Sequence, residues 1–339
     1  MCPPPPVFLC LTSCSAVQYG ASWALVTGAS SGIGKSLAQR LAQQGLNVVL
    51  VALDVRCAPP ASLQPAADTH THTHAHTPLG PATGTWPSSE GAQSSLPEAA
   101  VPPGAPMPLS SLFRAVLTPS RPGSHSAQVG VDLSTHGAYM DAIRDATKDV
   151  DVQVVFNNAG YMVTGFFDRT PLERQVKNAE CNAMSAMQIT HLFVTRMLAK
   201  NLRGCIVFTS SAAACQPCPF SSLYGATKAF ISSFGASIAV ELRCRGIDVC
   251  VVHPSPVASR FYDNAHALDS IAFFQKFNVQ PDALPDLIFA SIGRSVWRDI
   301  GGVAFAFRMM MKTVDFNLMT MAASVGAPFM ADFQRNLKD

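Results

Sequence analysis

From Trp23 to Thr27 a short apolar run leads into a glycine-rich turn, and from Ile33 to Gln43 apolar residues recur at helical spacing until Gly45 stops them. Strand, turn and helix in that order form the first half of a βαβ unit. Asn47 to Leu53 completes it with a continuous run rich in β-branched residues, the composition of a parallel strand covered on both faces. Runs at Val152 to Phe156, Cys205 to Phe208 and Val249 to Val252 repeat the type, and helical patterns at Gly137 to Lys148, Leu172 to Ala199 and Tyr224 to Arg245 fill the gaps. Strands alternating with helices imply right-handed crossovers and hence a doubly wound parallel sheet of the α/β class, flanked by helices.

One segment breaks this rhythm. Arg56 to Gln128 holds 13 of the chain's 25 prolines, no lysine, and the alternating tract Thr69-His70-Thr71-His72-Thr73-His74-Ala75-His76. Such a stretch cannot bury enough apolar area to offset its ordering entropy, so a disordered insertion after the second strand is expected. The histidines could bind a metal, but alternating His and Thr in low-complexity sequence needs no ligand to explain it. A dinucleotide-like repeat in the coding DNA would give the same alternation, which suggests an intron retained in the gene model; finding these codons in the mature transcript would sink that idea. The expected organisation is an N-terminal extension over 1–20, a folded domain over 21–55 and 129–300 interrupted by 56–128, and a C-terminal helical extension over 301–339.

With 48% apolar residues and a net charge of +2, the chain can bury a large core but lacks the basic excess that a nucleic-acid binder uses to hold phosphates. Its ten cysteines are scattered rather than dense, which points to a reducing, intracellular compartment, cytoplasmic or peripheral to an internal membrane. Cys215 and Cys218 form a CxxC with no second ligand pair at zinc spacing and are read as part of an ordinary loop, with no metal site expected. The run Val7 to Leu11 follows no basic region and is too short to span a bilayer. Gly301 to Met330 is apolar but broken by Arg308, Lys312 and Asp315, so amphipathic helices, with peripheral membrane contact as an option, are expected there.

The chemistry is carried by residues at the carboxyl ends of these strands. Thr27-Gly28-Ala29-Ser30-Ser31-Gly32-Ile33-Gly34 lies between strand and helix, where backbone N–H groups and the helix dipole can receive a pyrophosphate. Three glycines alone are also compatible with a plain tight turn; the strand before and the helix after favour cofactor binding. Asp132, and Asn158, Ala159 and Gly160 of Asn157-Asn158-Ala159-Gly160, end further strands on the edge where ligands of this fold sit, although loop capping would explain each singly. Tyr224 and Lys228, four apart at a helix start, share one face. The ammonium is expected to pull the phenol's pKa from about 10 toward neutrality, where an acid–base catalyst works best. Ser210-Ser211 at a strand end places a hydroxyl that could polarise a substrate carbonyl.

Taken together, TGASSGIG at Thr27 to Gly34, NNAG at Asn157 to Gly160, Ser211 and YGATK at Tyr224 to Lys228 resemble the motif set of the short-chain dehydrogenases/reductases, in that family's order. The resemblance covers roughly Trp23 to Asp54 and Gln128 to Phe261, and implies a Rossmann-type sheet of about seven strands. In the family the site serine stands thirteen residues before the tyrosine, which selects Ser211 over Ser210. By this resemblance Tyr224 gives or takes the hydroxyl proton, Lys228 holds the nicotinamide ribose and tunes Tyr224, Ser211 orients the carbonyl, and Asn182 holds a relay water. The segment with Pro254 and Val257 resembles the Pro-Gly stretch that flanks the nicotinamide, but Ser255 stands where glycine is usual, which questions the local backbone geometry.

The same resemblance implies a nicotinamide cofactor. Ala52 stands where NAD-preferring members carry an acidic residue, which favours NADP(H); Leu53 and Asp54 follow where arginine is frequent in NADP-preferring ones, and Lys35 or Arg56 could supply charge. Tyr19 to Asp54 is similar to the branch with hydroxysteroid dehydrogenases and very-long-chain 3-oxoacyl-CoA reductases. Phe261, Tyr262, Phe273, Phe274 and Phe277 make the following segment apolar, suited to a steroid, retinoid or acyl carbonyl, although aromatic residues are more often plain core. The expected function is oxidoreduction of a small-molecule carbonyl or alcohol by a homodimer or homotetramer. A non-catalytic nucleotide-binding regulator is the alternative, and a product disabled by the insertion next to the adenosine pocket is a third reading.

Overall fold

In the computed structural model the described residues are 18–53, 125–262 and 268–338. Seven strands form one parallel sheet in the order β3-β2-β1-β4-β5-β6-β7: β1 Trp23–Thr27, β2 Asn47–Ala52, β3 Ser126–Gly130, β4 Val152–Asn157, β5 Gly204–Thr209, β6 Ile247–Pro254 and β7 Trp297–Ile300. The strand order reverses beside β1, which puts the switch point at the carboxyl edge between β1 and β4, the place where doubly wound sheets bind ligands.

Successive side chains of each strand point to opposite faces, so the sheet feeds two cores. Val26, Leu50, Val154, Phe156 and Val207 pack with Leu37 and Leu41 of α1 (Gly32–Gln43) and with Leu284 and Ile288 of α7 (Leu284–Phe289). On the other face Leu25, Val49, Val155, Ile206 and Val251 meet Tyr139 and Ile143 of α2 (Ala138–Ala146), Ile189 and Phe193 of α4 (Ser185–Ala199), and Ile231 of α5 (Ser222–Arg243).

The expected long helix from Leu172 is broken into α3 (Leu172–Ala179), one π turn (Glu180–Met184) and α4. Glu180 stitches that turn to its surroundings: its buried carboxylate accepts from Tyr139 Oη at 2.7 Å and Gln188 Nε2 at 3.2 Å. Beyond Tyr262 come α6 (Asp269–Gln275), α7, and then α8 (Gly302–Thr313), α9 (Phe316–Gly326) and α10 (Ala331–Lys338). The apolar stretch Gly301 to Met330 is thus a set of helices, and no helix among the described residues is long and apolar enough to cross a membrane.

Strands β3 and β7 are the two that periodicity does not reveal. Both are edges, bury little, and are polar: SAQVG and WRDI. Ser126 to Gln128, read from composition as the end of the insertion, are the first three residues of β3 and pair with Val48, Val49 and Leu50. Residues 54–124, with the expected disorder, the histidine tract, Asp54 and Arg56, lie outside the described residues, as does Val7 to Leu11.

Candidate active site

The glycine loop is shaped by close approach. Gly28 has φ +65°, and a side chain on it would press against the Ala159 backbone; one on Gly34 would collide with the carbonyl of Gly28. Thr27 joins this loop to the next: its buried hydroxyl accepts from the backbone N–H of Asn158 at 2.9 Å and of Ala159 at 3.0 Å, while Asn158 Nδ2 donates to the Thr27 carbonyl at 3.1 Å. The first turn of α1 holds no acidic residue, and the extended Ser31 at its N-cap makes no side-chain cap. Ser30 is half-buried, Ser31 is exposed, and Gly32 and Ile33 follow half-buried. A backbone cradle with a positive helix end and no competing carboxylate fits a pyrophosphate.

Tyr224 and Lys228 stand one turn apart on α5, both buried. The Lys228 ammonium lies 5.8 Å from the Tyr224 ring centre and donates to the Thr209 carbonyl at 2.8 Å. A Cβ built on Gly160 would sit 3.3 Å from that ammonium and 3.1 Å from Asn182 Oδ1, so Gly160 forms the wall between the two side chains. Asn182 occupies the π turn, where its amide clamps the Tyr161 backbone: Oδ1 accepts from Tyr161 N–H at 3.0 Å, and Nδ2 donates to the Tyr161 carbonyl at 2.9 Å.

The two adjacent serines part company. Ser210 is 3% exposed, donates to the Lys228 carbonyl at 2.9 Å and meets Ser232 at 2.8 Å, so it is a packing residue. Ser211 caps the following short turn, accepting from Ala213 N–H at 3.1 Å, and its hydroxyl is near enough to the Tyr224 phenol to lower its pKa. The two hydroxyls thus face different neighbours, Ser210 the Lys228 carbonyl and Ser232, Ser211 the short turn beside Tyr224.

The expected depression of the phenol's pKa is not what this site shows. Burial pushes Tyr224 up, the Ser211 hydroxyl pulls it partly back, and Tyr262 raises it again. Desolvation dominates at both groups: the pKa of Lys228 itself falls from 10.5 to about 8 because its charge is buried as well.

Other predicted residues fall as follows. Pro254 and Val257 are buried, and their segment is pinned on both sides by Ser255 N–H to the Ile300 carbonyl at 2.7 Å and Val279 N–H to the Pro256 carbonyl at 2.8 Å. Ser255 in the glycine position has a physical use, since its hydroxyl accepts from Ala304 N–H at 3.0 Å and caps α8. Asp132 is exposed and its carboxylate accepts from Ser134 N–H at 2.8 Å, the loop-capping role. Ala52 is buried and Leu53 half exposed at the end of β2. Phe261 lies 5.6 Å from the Tyr224 ring and Tyr262 5.2 Å from Phe261, whereas Phe273 packs on Phe274 and Phe277, and Phe274 on Phe307 of α8. Cys215 and Cys218 sit on the loop after Ser211, their thiols pushed up by burial, Cys218 to about 11.

Sequence reasoning missed Thr209, Thr227, Tyr161 and Asn178. Thr209 and Tyr161 act through backbone atoms, which no side-chain motif encodes. Thr227, in the middle of YGATK, accepts from Asn182 Nδ2 at 3.3 Å, and its place beside Lys228 was a usable signal. Asn178 donates to the Tyr161 carbonyl at 2.8 Å from one turn before Asn182.

A family model described as short chain dehydrogenase matches residues 22–73 and 118–268. Over 259 residues, 76% of this chain, the sequence is 24% identical to a hydroxysteroid dehydrogenase-like protein 1 of Gallus gallus. Over 261 residues, also 76%, it is 27% identical to a very-long-chain 3-oxoacyl-CoA reductase-like protein of Arabidopsis thaliana. The chain covers 62% and 66% of the length of these relatives. A solved short-chain dehydrogenase from Sphingobium yanoikuyae in complex with NADPH superposes with a TM-score of 0.60 at 22% identity, covering 86% of this chain and 95% of the other, which shows a shared fold. With the family model spanning both the glycine loop and the Ser211, Tyr224 and Lys228 cluster, this chain belongs to the short chain dehydrogenase family.

Proposed function

We propose that this protein is an NADP(H)-dependent oxidoreductase that reduces a ketone or aldehyde, or oxidises the corresponding secondary alcohol, on a lipophilic substrate such as a steroid, a retinoid or a 3-oxoacyl group, as a homodimer or homotetramer. One observation carries the reading: a buried Tyr224 phenol with the Ser211 hydroxyl near it and the Lys228 ammonium 5.8 Å from its ring, on the edge of the sheet where a phosphate-shaped loop ends. When bound, a nicotinamide supplies or accepts the hydride.

The chain's own residues handle the proton. Because burial raises the phenol's pKa, Tyr224 keeps its proton through the neutral range and can donate it to a carbonyl oxygen during reduction. Ser211, already within reach of that phenol, can donate to the same oxygen and orient it. Lys228 is held by Thr209 and stays mostly charged below about pH 8, so it stabilises negative charge developing beside Tyr224. Asn182 and Gly160 hold the opposite wall. Support for the cofactor preference comes from the absence of a carboxylate at Ala52, and for a lipophilic substrate from Phe261 and Tyr262 beside Tyr224 and from the names of the two relatives.

The test is direct. Titration with NADPH and NADH, followed by nicotinamide fluorescence, should show tighter binding of NADPH, and turnover should appear in a panel of steroid, retinoid and acyl carbonyls. Tyr224→Phe should keep nucleotide affinity and lower kcat/KM by about 10²–10⁴-fold. Folded protein that binds neither nucleotide would overturn the reading, and a Tyr224→Phe variant with undiminished turnover would remove Tyr224 from the chemistry.

A further inference from the structure

Phe220 has a backbone φ of +62°, the left-handed region that a bulky side chain seldom enters. It stands in the stretch between Ser211 and Tyr224, four residues before the phenol and two before the first residue of α5. Such a conformation persists only where the surroundings over-determine it. Here the Phe220 carbonyl accepts from Gly165 N–H at 2.8 Å, and its ring meets Phe166 and Phe333 of α10 edge-on, with ring centres 5.1 Å and 5.9 Å away. Phe333 closes the trio at 5.3 Å from Phe166.

We propose that α10 positions the acid–base pair: Phe333 holds the loop between Ser211 and Tyr224 through Phe220, and Asp332 fixes α10 in the place from which it does so. The roles are those proposed above for Ser211 and Tyr224, on which this inference rests.

The path from Phe333 to the phenol is short. Ser221 N–H donates to the Cys218 carbonyl at 3.1 Å, and the N–H of Gly225, the residue after Tyr224, donates to the Ser221 carbonyl at 3.1 Å. Cys218 packs on that first turn of α5, since a Cβ built on Gly225 would meet Cys218 Sγ at 3.0 Å and Cβ at 3.1 Å. A shift of Phe220 therefore moves the turn that carries Tyr224 relative to Ser211. Misplacing reacting groups by about 1 Å costs on the order of 10²-fold in rate.

Both ends of α10 are tied down. Asp332 is 2% exposed, and its carboxylate accepts from the backbone N–H groups of Asp269 at 2.8 Å and Ser270 at 3.0 Å and from Arg335 at 2.7 Å. Those two N–H groups open α6, whose N-cap residue, Leu268, has no side-chain oxygen to offer. Asp332 supplies the missing cap from 63 residues along the chain. At the far end Arg169, three residues after Phe166, donates to the Asn336 carbonyl at 2.7 Å, one of those the last turn of a helix leaves without an internal partner.

Hydrogen exchange of the full chain, read by mass spectrometry, tests the holding, and steady-state kinetics on a carbonyl from the panel above tests its use. Phe333→Ala should speed exchange at Gly165, Ser221 and Gly225 by more than about tenfold, while β1 and β4 exchange as in wild type and NADPH affinity is kept. Its kcat should fall by about tenfold or more with a smaller change in KM, and Phe333→Leu, which restores apolar volume, should recover most of both losses. Asp332→Ala leaves every aromatic residue in place; it should release Asp269 and Ser270 and then the same loop, and it decides the matter if Phe333→Ala unfolds. Unchanged exchange at Ser221 and Gly225 overturns the proposal, as does faster exchange there with kcat undiminished. A wild type that turns over no carbonyl would sink the proposed reaction instead, and the exchange of these amides alone would then uphold or overturn Phe333 as what holds the loop.

Discussion

At the scale of single residues, Lys228 is held under two opposed demands. Its ammonium is useful beside Tyr224, yet it is 4% exposed and burial lowers its pKa from 10.5 to about 8. An unfolded lysine keeps its proton to about pH 10.4, so between about pH 8 and that value the unfolded chain binds more protons than the folded one, and stability rises with pH across this window. Below about pH 8 the folded state holds a desolvated charge at a cost. Lys228→Met should therefore unfold at an equal or higher urea midpoint than wild type at pH 7, lose the gain that wild type shows toward pH 10, and retain roughly 1% or less of the turnover. A variant markedly less stable at pH 7 would mean that the bond to Thr209 outweighs desolvation. The pairing of Tyr224 with Lys228 was readable from a spacing of four on a helix. The direction of the phenol's shift was not, because burial depends on Phe261, Tyr262 and Ser211, which reach Tyr224 only through the fold.

Among elements, α1 and α8 show how backbone position is enforced. Gly34, in the first turn of α1, faces the Gly28 carbonyl and Asn158 Nδ2 with no room for a methyl group. Gly34→Ala should push the helix from the glycine loop and weaken nucleotide binding by more than about tenfold in the fluorescence titration, with the urea midpoint lowered as overpacking costs about 1–3 kcal/mol. An unchanged affinity would detach this loop from the cofactor. Ser255 is the reverse case, a side chain where the family pattern has none: removing its cap to Ala304 with Ser255→Gly should cost about 1 kcal/mol, seen as a lower melting temperature. The inner strands were legible because both faces are covered and the run is apolar throughout. Of the edge strands, β3 was marked only by Asp132 at its end and β7 escaped notice, since one neighbour and part of one face are missing, which permits SAQVG and WRDI to be strands with little apolar content.

Across the whole molecule, a buried polar thread joins β5, α5 and β6. Ser210 and Ser232 both donate to the Lys228 carbonyl, and Ser232 meets His253 Nε2 at 2.9 Å, with His253 fully buried and stacked 4.0 Å from Trp297 of β7. Burial, reinforced by Arg308, lowers His253 from 6.5 to about 3, so the folded state keeps it neutral while the unfolded chain takes up a proton. The resulting stability is complete above about pH 6.5 and is lost as pH falls toward 3. Urea midpoints measured from pH 7 to pH 4 should fall more steeply for wild type than for His253→Gln, and parallel curves would show that other groups set the acid limb.

What the sequence by itself determined is everything written in local spacing: the strand–glycine loop–helix start, the inner strands, the order of the motifs and the helical pair Tyr224 and Lys228. These follow from side-chain period and turn chemistry within a few residues. Only the tertiary structure decided that Ser210 packs against Lys228 and Ser232, that Ser255 fastens a C-terminal helix, that Gly160 separates Asn182 from Lys228, and that α9 leaves an apolar face in solvent. Each of these depends on distance and burial between residues far apart in the chain, where desolvation and packing set the energies.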